Sequence, residues 1–365
     1  MKNKLVYLNQ GGFGDTDITV LHCLNERYDL IWFYVDEPLK KVNLSKEEAL
    51  EYARKYNIEI RIKTRFFKIR SLKNLLFFKR IIKDINKINP DVVFTCINEW
   101  SLSLQVASIN CKNIIHGVHD VKPHSKHFSI KNILTDYIIK KTIKSFPYNA
   151  VFSKNQYDLF KLYYGDNVVN LGMSVKDFGN SDKSPKEFGK TIDLLFFGYI
   201  VKYKGLDLLI NTLEGLLDEG INCFRLTIAG KGPYWEKCES LVKTPSLYNL
   251  SIRFVENKEV PDLMSSHHFL ILPYRDATQS GPLLTALNYG LPIIAPNFGC
   301  FSDTYNPQMG ILYDRQCLRD ALLTVMKMNE NDYQEMRNAC QKAKETFSEE
   351  AIANNYIKLF DEVCG

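Results

Sequence analysis

The stretch FLILPYRDATQSGPLLTALNYGLPIIAP, Phe269 to Pro296, leaves a chain few ways to fold. Residues 269–272 and 292–295 are apolar runs of the length expected for strands buried on both faces. Between them Ser280, Gly281 and Pro282 supply the cap and first turn of a helix, and Gly290 and Pro292 stop it. The order strand, exposed turn, short helix, strand predicts a parallel α/β sheet. The free N–H groups and positive dipole end of that helix face the loop ATQSG, and Gly281 admits a ligand close to the main chain. A phosphate-bearing substrate fits there. An ordinary turn of a parallel sheet without a ligand carries the same punctuation.

At 365 residues the chain exceeds one hydrophobic core, so two domains are expected. Nine cysteines are scattered without a CxxC pair or a zinc-spaced cluster, which fits a reducing cytoplasm. The opening apolar run LVYL is too short for a signal core, and no run elsewhere is long enough to span a bilayer. A cytoplasmic location follows, at the inner face of the cytoplasmic membrane if the basic segment meets lipid.

Net charge is +5, distributed unevenly. Between Arg61 and Pro90 ten Lys or Arg face one acid, Asp84, interleaved with apolar residues at helical spacing from Leu72 onward. Arg65, Lys68, Arg70, Lys73, Lys79 and Arg80 are the candidates for an anionic membrane or acceptor surface. The alternative is a helix that packs its apolar stripe on a sheet and solvates its lysines. No recognised nucleic-acid motif accompanies the charge, and nucleic acid is not expected as a partner.

Each half reads as a nucleotide-type α/β unit. The first has strands at 5–8, 30–35, 91–96, 113–118 and 150–153, with Gly11, Gly12 and Gly14 after the first. Asp36 is the one acidic candidate at the end of the second strand and is followed by Glu37-Pro38, so a dinucleotide fingerprint is not expected. Residues 176–191 read as a linker. The second half has strands at 192–197, 225–229, 251–254 and the pair already described, with a helix at 260–265. The expected class is α/β, two Rossmann-like doubly wound domains facing a central cleft, with ligands at the carboxyl ends of the strands.

The ordered series FFGYIVKYKGLDLL, LTIAGKGP, VPDLMSSHHFLILPYRDATQSG and LNYGLPIIAPNFG resembles the donor domain of GT-B glycosyltransferases of family 4, retaining enzymes that use nucleotide sugars. His119-Asp120-Val121-Lys122-Pro123-His124 and the terminal FSEEAIANNYIKLF match that family's His-containing loop and last helix. The resemblance implies a first domain at 1–175, a donor domain at 192–345, and a terminal helix at 346–365 packing back on the first domain.

It also implies roles. Lys204 matches the phosphate-binding lysine that stabilises charge on the leaving group. The arginine that often follows the glycine at Gly198 is Tyr199 here, so a second cation would come from Lys202 or Arg275. Gln279, Ser280, Gly281 and Pro282 would hold the diphosphate, with Gly11 and Gly12 approaching the donor or acceptor from the first domain. His119 matches the active-site histidine beside the donor sugar; His116 and His124 are weaker candidates. Two glutamates spaced eight apart in many members fall here on Ala277 and Thr285, and Thr285 retains one hydrogen-bonding group.

No carboxylate nucleophile is placed there, so the family mechanism implied is front-face transfer, the departing phosphate taking the acceptor's proton. No metal is expected and no cofactor beyond a UDP- or GDP-sugar donor. A lipid-linked glycan, as in bacterial surface polysaccharide or O-antigen assembly, is the acceptor class implied. The missing glutamates leave one alternative, a catalytically inactive GT-B scaffold in a glycan-assembly complex.

Overall fold

The computed structural model describes residues 2–40, 42–121, 130–314 and 317–365. The chain folds into two compact units, Met1–Ser174 with Ser348–Gly365, and Val175–Phe347.

The first unit is built on seven parallel strands: β1 (Lys4–Gln10), β2 (Asp29–Asp36), β3 (Glu59–Thr64), β4 (Val92–Thr95), β5 (Asn113–Val118), β6 (Tyr148–Val151) and β7 (Val168–Asn170), in the order β3-β2-β1-β4-β5-β6-β7. Alternation along β1 explains the two layers of core. Leu5 and Tyr7 join a cluster with Leu21, Leu24 and the terminal helix residues Ile352, Tyr356 and Phe360. Val6 and Leu8 face the other way, onto Phe78, Ile81, Ile82 and Ile85 of the helix Lys73–Ile88. The terminal helix Glu349–Cys364 is capped by Ser348, whose side chain accepts from Ala351 N, and is tied to this unit by Tyr28 Oη donating to Asp361 at 2.8 Å.

The second unit has six parallel strands: β8 (Ile192–Phe197), β9 (Phe224–Ala229), β10 (Tyr248–Ser251), β11 (Phe269–Ile271), β12 (Ile293–Pro296) and β13 (Gly310–Tyr313), in the order β10-β9-β8-β11-β12-β13. Leu194 and Phe196 pack on the helix Leu206–Asp218, while Leu195 packs with Leu283, Ala286 and Leu287 of the helix Gly281–Asn288. In each sheet the strand order reverses beside the first strand, between β1 and β4 and between β8 and β11. Parallel sheets bind ligands at the carboxyl ends of strands at such a reversal.

Three strands lie outside the sequence reading, β3, β7 and β13, and β10 ends where a strand at 251–254 was expected. β3 is hidden by its own charges: Arg61 and Lys63 read as the start of the basic segment, ahead of the helical pattern from Leu72, whereas in the sheet Arg61 pairs with Glu59 and Lys63 with Asp84 at 2.8 Å.

Arg65 corrects the sequence reading more sharply. The sequence pattern places it on the exposed basic surface, yet its side chain is fully buried just beyond β3. Its guanidinium donates to both oxygens of Glu99 at 2.6 and 2.8 Å, to Glu37 at 2.5 Å and to Asn74 at 3.1 Å. Buried charges are retained where they are paired and hydrogen-bonded, and a sequence pattern cannot show that two distant glutamates converge on one arginine. Lys68, Arg70, Lys73, Lys79 and Arg80 are exposed as expected, beside exposed Phe66, Leu72 and Leu76.

Candidate functional site

In the second unit the loop following β8 is held by glycines. Gly198 has φ +117°, and Gly230 sits so close that a Cβ on it would lie 1.9 Å from the Gly198 carbonyl oxygen. Gly205 has φ +71°, and a Cβ there would meet the Pro273 carbonyl oxygen at 1.9 Å. These contacts bind the loops after β8, β9 and β11 together and leave no room for a side chain. Ile200 N donates to the Lys231 carbonyl at 2.9 Å, and Arg275 N donates to the Tyr203 carbonyl at 2.6 Å.

That backbone turns Lys204 inward. The residue is 8 % exposed, in the short 3-10 turn Lys202–Lys204. Its Nζ lies 5.4 Å from the centre of the Tyr274 ring. A Cβ on Gly198 would stand 3.1 Å from Lys204 Nζ and 3.5 Å from Pro282 Cγ, so the ammonium and the first turn of the helix Gly281–Asn288 flank one spot. Among the described residues no carboxylate pairs with Lys204. Burial alone pushes its pKa down to about 8.

The helix beside it is capped as its sequence suggests. Ser280 accepts from Leu283 N at 3.4 Å, proline occupies the first turn, and that turn carries no acidic residue. Gly281 lies near a further lysine: its Cβ position would be 3.4 Å from Lys176 Nζ. Lys176 is a cation that sequence reading missed, because residues 176–191 read as a linker with no reason to border the helix. Gln279 is partly exposed in the same loop.

Two assigned donor-site residues are otherwise engaged. Arg275 forms a two-pronged pair with Asp207 at 2.7 and 3.0 Å and also donates to the Lys202 carbonyl. Its role is to join the β11 loop to the helix Leu206–Asp218. Thr285 is buried and its hydroxyl donates to the Gly281 carbonyl at 3.0 Å, one helical turn back. It therefore offers no exposed group to a ribose. Ala277 is buried, and its carbonyl accepts from Cys300 N at 3.2 Å.

In the first unit the loop after β1 holds Gly11 and Gly12. A Cβ on Gly11 would lie 2.6 Å from both the Leu44 carbonyl and the Tyr34 hydroxyl, and the Gly11 carbonyl accepts from Asn43 N and Leu44 N. Gly11 is thus required by packing. Gly12 has nothing within 4 Å of its Cβ position and leaves the main chain open.

His119 follows β5 and is 6 % exposed. Its ring is sandwiched between Phe13, centroids 4.0 Å apart, and Phe152, 4.4 Å apart. His116 is a core residue: it is fully buried, stacks on Phe146, and burial holds its pKa down at about 3. His124, with Lys122 and Pro123, lies outside the described residues.

Residues 191–328 match the family model of the Glycosyl transferases group 1. A GDP-mannose:glycolipid 4-beta-D-mannosyltransferase of Xanthomonas campestris pv. campestris is 29 % identical over 128 residues, which cover 33 % of this chain and 36 % of that protein. The match thus spans about a third of that relative's length. An uncharacterized glycosyltransferase of Methanocaldococcus jannaschii is 25 % identical over 317 residues, 78 % of this chain and 79 % of its own length. Among solved structures, Anabaena HepE in complex with UDP-glucose superposes with a TM-score of 0.71 at 13 % identity, covering 99 % of this chain and 100 % of that one. A lipopolysaccharide outer core galactosyltransferase, WaaB, reaches 0.67 at 14 % identity over 98 % and 99 % of the two chains. The fold is the GT-B fold of glycosyltransferases.

Proposed function

We propose that this chain, whose second unit carries a group 1 glycosyl transferase domain, moves a sugar from a nucleoside-diphosphate sugar to a glycan acceptor. The observation that carries the reading is Lys204: a buried cation without a carboxylate partner among the described residues, beside the N-terminus of a Ser280-capped helix. A buried unpaired ammonium costs stability and is retained where an anion binds. The donor's diphosphate supplies that anion, and the lysine, the Gly281 N–H and the positive end of the helix dipole hold its charge as the sugar leaves.

UDP and GDP are the bases to try, because the Anabaena structure holds UDP-glucose and the Xanthomonas protein is named for GDP-mannose. Transfer proceeds with retention, through a front-face path in which the leaving phosphate accepts the acceptor's proton and the protein positions the reactants. His119, clamped between Phe13 and Phe152, contacts the donor sugar. No metal ion takes part. The acceptor is a lipid-linked glycan of surface polysaccharide or O-antigen assembly, reached from an anionic membrane on which Lys68, Arg70, Lys73, Lys79 and Arg80 lie together with exposed Phe66, Leu72 and Leu76. No helix among the described residues is long and apolar enough to cross a membrane.

The test is a panel of UDP-, GDP-, ADP- and CDP-sugars, assayed for binding and slow hydrolysis without added metal, on wild type and Lys204→Ala. Binding of one donor class, lost in the variant, supports the reading. Failure of every donor on folded protein, repeated with lipid acceptors, leaves a scaffold in a glycan-assembly complex. The anomeric configuration of the product decides between retention and inversion, and inversion would require a general base at the acceptor hydroxyl.

A further inference from the structure

Asp17 is a buried carboxylate for which the reading above has no task. It ends the short helix Gly14–Asp17 after β1 and is 2 % exposed, and among the described residues neither lysine nor arginine pairs with it. Its Oδ2 accepts from Asn9 Nδ2 at 3.2 Å, and Asn9 Oδ1 accepts from Trp32 Nε1 at 2.8 Å. An indole N–H can only donate, so the Asn9 amide has one orientation: oxygen toward Trp32, NH2 toward Asp17. The second carboxylate oxygen, Oδ1, lies 3.8 Å from His119 Nε2.

We propose that Asp17 is a positioning residue for His119, holding the imidazole with Nε2 protonated toward the carboxylate and Nδ1 as an acceptor for a sugar hydroxyl. The proposal rests on the role given above to His119. The aromatic sandwich fixes the plane of the ring, and the chain Trp32, Asn9, Asp17 fixes which edge carries the proton. Such carboxylate–imidazole contacts are commonly long without ligand and shorten in the reacting complex. The neighbouring titratable groups Cys96 and His116 both stay neutral. Cys96 has its thiol pKa raised far above the usual value by burial and by Asp17, and His116 is kept neutral by burial.

The same chain predicts what Asp17→Asn does. Asn9 still presents its NH2, so the new amide must turn its oxygen there and its own NH2 toward His119. A donor facing Nε2 reverses the tautomer and moves the proton to Nδ1, where the sugar hydroxyl needs an acceptor. We expect kcat for donor turnover to fall about 10- to 100-fold with the donor KM within about threefold. Nitrogen-15 NMR of imidazole-labelled protein, with His119→Gln to assign the signal, should show Nε2–H in wild type and Nδ1–H in Asp17→Asn.

A wild-type ring protonated at Nδ1 alone, or a tautomer unmoved in the variant, overturns the proposal. So does a metal ion found in purified protein and held by Asp17, Cys96 and His119, whose donor atoms lie within 4.8 Å of one another. The wild-type spectrum decides the matter even if Asp17→Asn does not fold. If no donor turns over while the spectra behave as expected, it is the proposed function that fails and the Asp17–His119 pair that stands.

Discussion

Arg65 and Lys204 occupy the two units of one chain in similar places, each a buried cation in a loop that follows a parallel strand. Arg65 is met by Glu99, Glu37 and Asn74, and its charge is fully answered from within. Lys204 has a tyrosine ring and a helix N-terminus for neighbours and no carboxylate among the described residues. The first arrangement holds loops together; the second leaves a charge for something else to answer. Burial of a cation is therefore uninformative until its partners are known.

The contrast can be broken at either end, and the largest effect is expected at Arg65. Arg65→Ala leaves Glu99 buried without a counter-charge and Glu37 with Lys40 alone, and should destabilise the first unit by about 3–5 kcal/mol. Urea denaturation reads this, and a loss within experimental error of zero would mean the cluster is not the anchor described.

Lys204→Met should act in the opposite sense on stability. In the ligand-free fold the pKa is lowered from 10.5 to about 8, so the cationic form is disfavoured by roughly 3 kcal/mol. That cost is fully present below pH 8 and shrinks as pH rises from 8 toward 10.5. The variant should accordingly be at least as stable as wild type at pH 7 while losing about 100-fold in nucleoside-diphosphate affinity. Thermal unfolding and calorimetric binding on the same samples separate the two effects; a variant that binds as wild type does, or that unfolds early, removes the distinction from Arg65.

Smaller effects sharpen the comparison. Ser280→Ala removes the cap of the helix beside Lys204 and should cost about 1 kcal/mol, read as a lower melting temperature and a weaker nucleotide Kd. Charge reversal at Lys73, Lys79 or Arg80 should weaken binding to vesicles containing phosphatidylglycerol by up to about 1 kcal/mol each, leaving nucleotide affinity unchanged. Salt-insensitive vesicle binding would count against that surface.

How much of this could be read from the sequence differs between the units for the same reason. Lys204, Ser280 and Gly281 are close to their strands in sequence, and the turn and capping chemistry that places them is local. The strand pairs flanking them are apolar runs with sharp stops. Arg65 and Lys176 are positioned by residues far along the chain: Glu99 is 34 residues from Arg65, and Gly281 lies more than a hundred beyond Lys176. No periodicity encodes such meetings. β3 is not legible because Arg61 is neutralised by Glu59 two residues back along the strand and Lys63 by Asp84 on a distant helix, and Thr285 reads as available because a hydroxyl's engagement with the turn before it shows only in the backbone.

The central claim is that Lys204 awaits a diphosphate, and proton-linked calorimetry tests it most directly. UDP and GDP would be titrated at pH 8.5 in two buffers of different ionisation enthalpy, where the nucleotide phosphates are already ionised. Binding an anion favours the ammonium form, so the wild type should take up a fraction of a proton on binding, and its affinity should fall as pH rises above about 8. Lys204→Met should bind weakly with no proton uptake. Equal affinity in the two proteins, without proton linkage in either, would contradict the account.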